Sequence, residues 1–308
     1  MTTQRMTQAG LTVPQRILAD TFQLSGVIAQ PEVFDYERVD TSPVGGEIDL
    51  SNRAYQGYGV ARFAIQDIVG RLDLNTFQRG RFQCLLSGLG IPTRTLDSLV
   101  SKLEDYTDLD DLHRINGAER RQYEELSLPP PNNRYLRTPQ EVRRILGWSK
   151  YEQLWQNNNW SRYTTTLNTG FPNINTSPFA VLQTLPGFSA TNAQQILAYR
   201  KIQPFADSFH MQRVLDLPFP VEELNLSFLP SERFRLTLWY EGAPSAQQIN
   251  IWLTPSIDKD GPWRIEYELT VPISDNYRQA SVDKVQSILL NPDFLEEVRD
   301  AGVAENNQ

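Results

Sequence analysis

The sequence predicts an α+β fold: an N-terminal helix and a small antiparallel sheet into which a large all-α domain is inserted. Period-two alternation of apolar residues runs from Arg233 to Leu269, and a weaker strand signal runs from Tyr58 to Leu74. Between them, from Thr76 to Leu217, lie short segments with helix start and stop signals. Strand signals on both sides of a helical block place that block as an insertion in one sheet. The expected division is 1–75 for the N-terminal helix and first strands, 76–217 for the α domain, 218–275 for the remaining strands, and 276–308 for a helical tail.

Taken in order, Pro14 opens an expected helix to Ile28, with Ile17, Leu18 and Phe22 forming an apolar stripe. Val60, Phe63 and Ile65 mark a strand, and Gly70-Arg71-Leu72-Asp73-Leu74 reads as its return. Thr138-Pro139-Gln140-Glu141 is a capping box with Pro at the first helical position, and Gly147 closes that helix. Ser177-Pro178 opens another that ends at Pro186-Gly187, and a third spans Thr191 to Lys201. Three strands follow in meander order: Phe234 to Tyr240, Ile249 to Leu253, and Trp263 to Leu269. Val282, Val285, Ile288 and Leu289 place a helix over 280–298.

The 308 residues are enough for a substantial core, and 40% hydrophobic with 21% charged residues is a globular composition. No apolar run is long enough to span a bilayer. A net charge of −8 argues against a generic polyanion binder, because affinity for a phosphate backbone comes from clustered Lys and Arg. Cys84 is the sole cysteine, which excludes an internal disulfide. It lies in the apolar run Phe82-Gln83-Cys84-Leu85-Leu86 and is expected in the core. With His113 and His210 as the only histidines, the usual zinc sets are absent.

Two motifs carry chemical interest. Leu185-Pro186-Gly187-Phe188-Ser189 with Arg200 has the outline of a helix-hairpin-helix, in which a tight turn aims N–H groups at a phosphate. Ser189 stands where the second glycine belongs, so a packing hairpin is the plainer reading and a nucleic-acid module the alternative. The acidic run Glu104 to Asp111, with Glu119 following Gly117-Ala118, reads either as a solvated loop or as clustered oxygens for Ca²⁺. No Ser-His or Cys-His arrangement accompanies it, so no enzyme is expected. An internal echo links Asp73-Leu74-Asn75-Thr76 to Asn173-Ile174-Asn175-Thr176, each opening a helical hairpin.

Asp105-Tyr106-Thr107-Asp108-Leu109-Asp110, Gly117-Ala118-Glu119 and Tyr123 together resemble a known pattern. So do Gly70 to Asn75, Pro129-Pro130 with Asn133, Glu141 before Gly147, and Arg200 with Pro204-Phe205. In this order the motifs are similar to the K-type minor pseudopilin of the type II (general) secretion pathway, over about Tyr58 to Tyr240. The resemblance implies a pseudopilin sheet with a helical insertion, and a non-enzymatic periplasmic protein at the tip of a pseudopilus. Its partners would be other minor pseudopilins in a heteromeric complex and not nucleic acid, met through Ile17, Leu18 and Phe22. The family's inner-membrane anchor is an N-terminal apolar helix, a feature this chain is expected to lack. The resemblance also implies bound Ca²⁺, with Asp108, Asp110 and Glu119 as ligands and Asp105 as an additional carboxylate.

Overall fold

The computed structural model describes residues 22–24, 27–29, 49–57, 60–76, 78–156, 159–167, 171–217, 221–254, 263–279 and 283–284. The first described elements are β1 (Phe22–Leu24) and β2 (Val27–Ala29), which pair antiparallel. This corrects the expected helix over that stretch. The register sets Phe22 opposite Ala29 and Leu24 opposite Val27, a pairing that no helix allows, whatever the spacing of the apolar residues before it. The rest of that expected helix, Ile17 and Leu18 included, lies outside the described residues.

The main sheet begins with β3 (Ser51–Gln56) and β4 (Ala61–Asp67). After β4, the chain leaves through a two-residue strand, β5 (Leu72–Asp73), for α1 (Arg79–Gly88), α2 (Thr93–Thr107), α3 (Arg120–Glu124), α4 (Glu152–Trp155) and α5 (Asn159–Tyr163). A second short strand, β6 (Thr164–Thr165), precedes α6 (Phe179–Leu182), α7 (Ala190–Tyr199) and α8 (Ser208–Leu215). The chain returns to the sheet as β7 (Arg233–Tyr240), β8 (Ser245–Leu253) and β9 (Trp263–Pro272), then adds α9 (Asp275–Gln279) and β10 (Asp283–Lys284).

The six strands stand in the order β10-β3-β4-β7-β8-β9. Strands β4 and β7 are antiparallel neighbours, with Ile65 opposite Leu236, although the helices separate them in sequence. The helical block is therefore an insertion, but not an all-α one, because β5 and β6 pair in parallel inside it. Leu72-Asp73 is half of that pair and not the antiparallel return of β4. The expected C-terminal helix is contradicted where the chain is described, since Asp283-Lys284 pairs in parallel with Tyr55-Gln56; the rest of that tail lies outside the described residues.

One sheet face carries Phe63, Ile65, Leu236, Leu238, Ile249 and Ile251 in a single buried cluster. The inserted region has two cores of its own. The first joins Leu74, Phe82, Leu103, Tyr123, Trp148 and Trp160. The second joins Ile174, Leu185, Ile196, Phe205 and Met211, and reaches Val221 and Phe228, past the expected boundary at 217. Cys84 belongs to neither and is exposed. Helix α1 buries Phe82, Leu85 and Leu86, the i, i+3, i+4 stripe, and Cys84 falls beside it.

The internal echo is real at atomic detail. Asn75 Nδ2 donates to Leu136 O and Thr166 O, both at 3.0 Å, and Leu136 N donates back to Asn75 Oδ1 at 2.9 Å. Asn175 repeats this: Nδ2 to Phe205 O and Phe228 O at 2.9 Å, and Phe205 N to Oδ1 at 2.8 Å. Each asparagine clamps remote segments across its lobe and does not cap the next helix. At the base of the insertion, Asp67 accepts hydrogen bonds from Asn173, Thr176 and Ser231, tying the end of β4 to the second lobe. Gly70 makes that approach close enough that a Cβ there would lie 2.7 Å from Thr176 Oγ1.

Candidate metal centre

Helix α2 is amphipathic, and its last turn points Asp105 inward, fully buried. The chain leaves α2 in extended conformation at Asp108 and loops back over its end. Gly117 closes the loop: a Cβ there would fall 1.8 Å from Asp105 Oδ2, so no larger residue fits without displacing that carboxylate. Glu119 then opens α3, its N–H donating to Gln122 Oε1 at 2.9 Å.

The result is a group of three carboxylates. One oxygen each from Asp105, Asp108 and Glu119 lies within 4.8 Å of the other two. Asp110 is not in this group, contrary to the expectation; its Oδ1 accepts from Leu112 N at 2.8 Å in a local turn, and its carbonyl holds Asn133 Nδ2. Alternating acidic residues in sequence put Asp108 and Asp110 on one footing, whereas the helix end selects Asp105 and Asp108. Asp105 sits one helical turn before Asp108, the residue at which α2 ends, so the two carboxylates share one side of the helix end.

Arg114 faces the group as its resident cation. Its Nη1 lies 2.7 Å from Asp105 Oδ1 and also bonds Asp108 Oδ2, while Nε is 3.4 Å from Glu104. These bonds raise the Arg114 pKa still further. One cation is not enough for the site. Among the described residues, both Glu119 oxygens and Asp108 Oδ1 are buried without a hydrogen-bond partner. Burial, reinforced by Asp105 and Asp108, pushes the Glu119 carboxyl up to about 7. Burial also raises Asp108, against the pull of Arg114. Buried, unpartnered anionic oxygens are what an oxygen-seeking cation relieves, so the donor set fits a hard divalent ion.

The polar groups of the helix-hairpin-helix outline bond within the fold. Ser189 Oγ accepts from Asn192 N and Asn192 Oδ1 accepts from Ser189 N, so the turn caps its own helix. Arg200 is turned inward, donating to Ile174 O and Ser177 O. Thr138 makes no side-chain cap, and Pro139–Arg144 is a 3₁₀ turn in which Glu141 accepts from Arg137 N instead.

Comparison with known proteins bears on this region directly. Residues 61–154 match the family described as type II secretion system (T2SS), protein K, as its first domain. That span runs from β4 into α4 of the first lobe and includes the whole carboxylate group. Among solved structures, one chain of the GspK-GspI-GspJ complex from the enterotoxigenic Escherichia coli type 2 secretion system is similar. It has 17% sequence identity and a TM-score of 0.55, over 88% of this chain and 98% of that one. No curated protein matches the chain. Residues 61–154 thus match the family model of type II secretion system protein K, on a chain whose overall fold is similar to that of a chain from the GspK-GspI-GspJ complex.

Proposed function

We propose that this chain is a K-type minor pseudopilin that assembles with the I- and J-type minor pseudopilins and terminates the pseudopilus in the periplasm. The observation that carries the reading is the insertion between neighbouring strands β4 and β7. Two extra cores on the connection between the two central strands make the subunit too bulky for another to stack above it, so it takes an end position. The similar chain from the K–I–J complex supports the partners. The role is assembly and not catalysis. Among the described residues no helix is long and apolar enough to cross a membrane. The partner face is proposed around Ile17, Leu18 and Phe22, of which Phe22 lies in β1.

Ca²⁺ is the proposed ion at Asp105, Asp108 and Glu119, with Asp110 beside it in the same loop. It would supply charge neutralisation at the junction of α2, the loop and α3, fixing how the first lobe closes. The test of the assembly reading is size-exclusion chromatography with light scattering on the chain mixed with I- and J-type pseudopilin domains. A discrete heteromer and no self-polymer are expected; a homopolymer, or three separate species, would refute it.

A further inference from the structure

Between the end of β4, the first turn of the insertion and α1, the interior carries more positive than negative charge. Arg71 and Arg235 are 3% and 2% exposed, and both send Nη1 to the same acceptor, Ser161 O, at 3.4 and 2.6 Å. Among the described residues neither has a carboxylate partner, nor does Arg81 on α1, whose Nε donates to Thr184 Oγ1 and Nη1 to Gln78 Oε1. Two described carboxylates in the region, Asp67 and Asp73, are already occupied. Asp67 takes the Asn173, Thr176 and Ser231 donors, and Asp73 takes Asn75 N and the Thr76 hydroxyl. Burial and the neighbouring Arg235 charge lower the Arg71 pKa, a measure of how poorly that charge is compensated.

The unpartnered atoms are specific. On Arg71 they are Nε and Nη2, and on Arg81 Nη2. Nε and Nη2 form one edge of the guanidinium, the edge whose two parallel N–H groups match two oxygens of a single carboxylate or phosphate. Arg71 and Arg81 border one cleft with Leu72, Asp73, Thr76, Gln78 and Pro172, around about 30 Å³ of space that the centre of a water molecule can reach, partly open to solvent. From this geometry we propose that the cleft binds one small oxyanion, held bidentately by Arg71 and seconded by Arg81. The cleft admits an inorganic ion or a single acidic side chain. Binding there would neutralise the seam where the insertion leaves the sheet, and would join Gly70-Asn75 to α1.

The test is isothermal titration of the full chain with inorganic phosphate, sulfate and acetate, each at ionic strength matched with chloride, and with a glutamate-terminated peptide. Saturable heat from phosphate or sulfate identifies a free inorganic ion. Heat from acetate and the peptide alone identifies a protein carboxylate. Arg81→Gln, on the half-buried face of α1, is expected to weaken binding at least tenfold, and Arg71→Lys, which keeps charge but loses the fork, more than that. No saturable heat in any arm, or unchanged affinity in Arg81→Gln, would overturn the proposal, and the Arg81 variant serves if Arg71→Lys does not fold.

Discussion

Replacing Asn175 by Ala tests whether the remote clamp holds the second lobe together. Asn175 is 5% exposed, and truncation deletes three hydrogen bonds of 2.8 to 2.9 Å. It strands two carbonyls and the Phe205 N–H in a region from which water is excluded. At about 1 kcal/mol net per bond the expected loss is about 3 kcal/mol, with a further contribution where a buried group finds no new partner. A residue that only capped its own turn would cost about 0.5 to 2 kcal/mol. Urea unfolding followed by tryptophan fluorescence measures the difference, and the midpoint should fall with little change in slope. Asn175→Asp should behave like the alanine variant, because it keeps the acceptor but puts a charge against Phe205 O and Phe228 O. A loss below about 1 kcal/mol for Asn175→Ala would show that the clamp is not a principal support of the lobe and refute the reasoning.

The remaining expectations concern the carboxylate site. Ca²⁺ at a hundred times its dissociation constant should stabilise the chain by about 2.7 kcal/mol, and chelator should remove that gain; Glu119→Gln should show neither effect in a thermal melt. Without metal, Glu119 is protonated more readily folded than unfolded, so its contribution is full below about 4.5 and is lost as pH rises through about 7. Metal-free stability should therefore fall as pH rises from about 4.5 to about 7, while Ca²⁺ binding tightens across the same window; a flat profile would place Glu119 elsewhere. Gly117→Ala should lose metal-dependent stabilisation, because the new Cβ collides with Asp105; retained Ca²⁺ response would show that the loop can move aside.

Much of this architecture was legible in residue patterns. The β7-β8-β9 meander follows from strict alternation at Phe234, Leu236 and Leu238, and α7 starts and stops within two residues of its expected ends. The acidic cluster was visible too, but its membership was not. Spacing along the chain cannot distinguish Asp105 from Asp110, because the choice depends on where α2 ends and on the turn that spends Asp110 locally. Parallel pairings were invisible for a similar reason: β5 with β6 and β3 with β10 join segments distant in sequence, and two-residue strands carry no period. Cys84 shows the limit of reading an apolar run as core, since only one stripe of α1 faces inward. The two asparagines announced their equivalence but not their partners, which lie 30 to 91 residues away.

The central claim is that the helical insertion stands at one end of the fibre. Cys84, the sole cysteine and exposed on α1 within that insertion, provides a unique attachment point. Maleimide-linked gold on Cys84, imaged by electron microscopy on pseudopili assembled with all their subunits, tests the claim directly. A single gold particle at one terminus of each fibre is the predicted result, and gold distributed along the fibre shaft would contradict it.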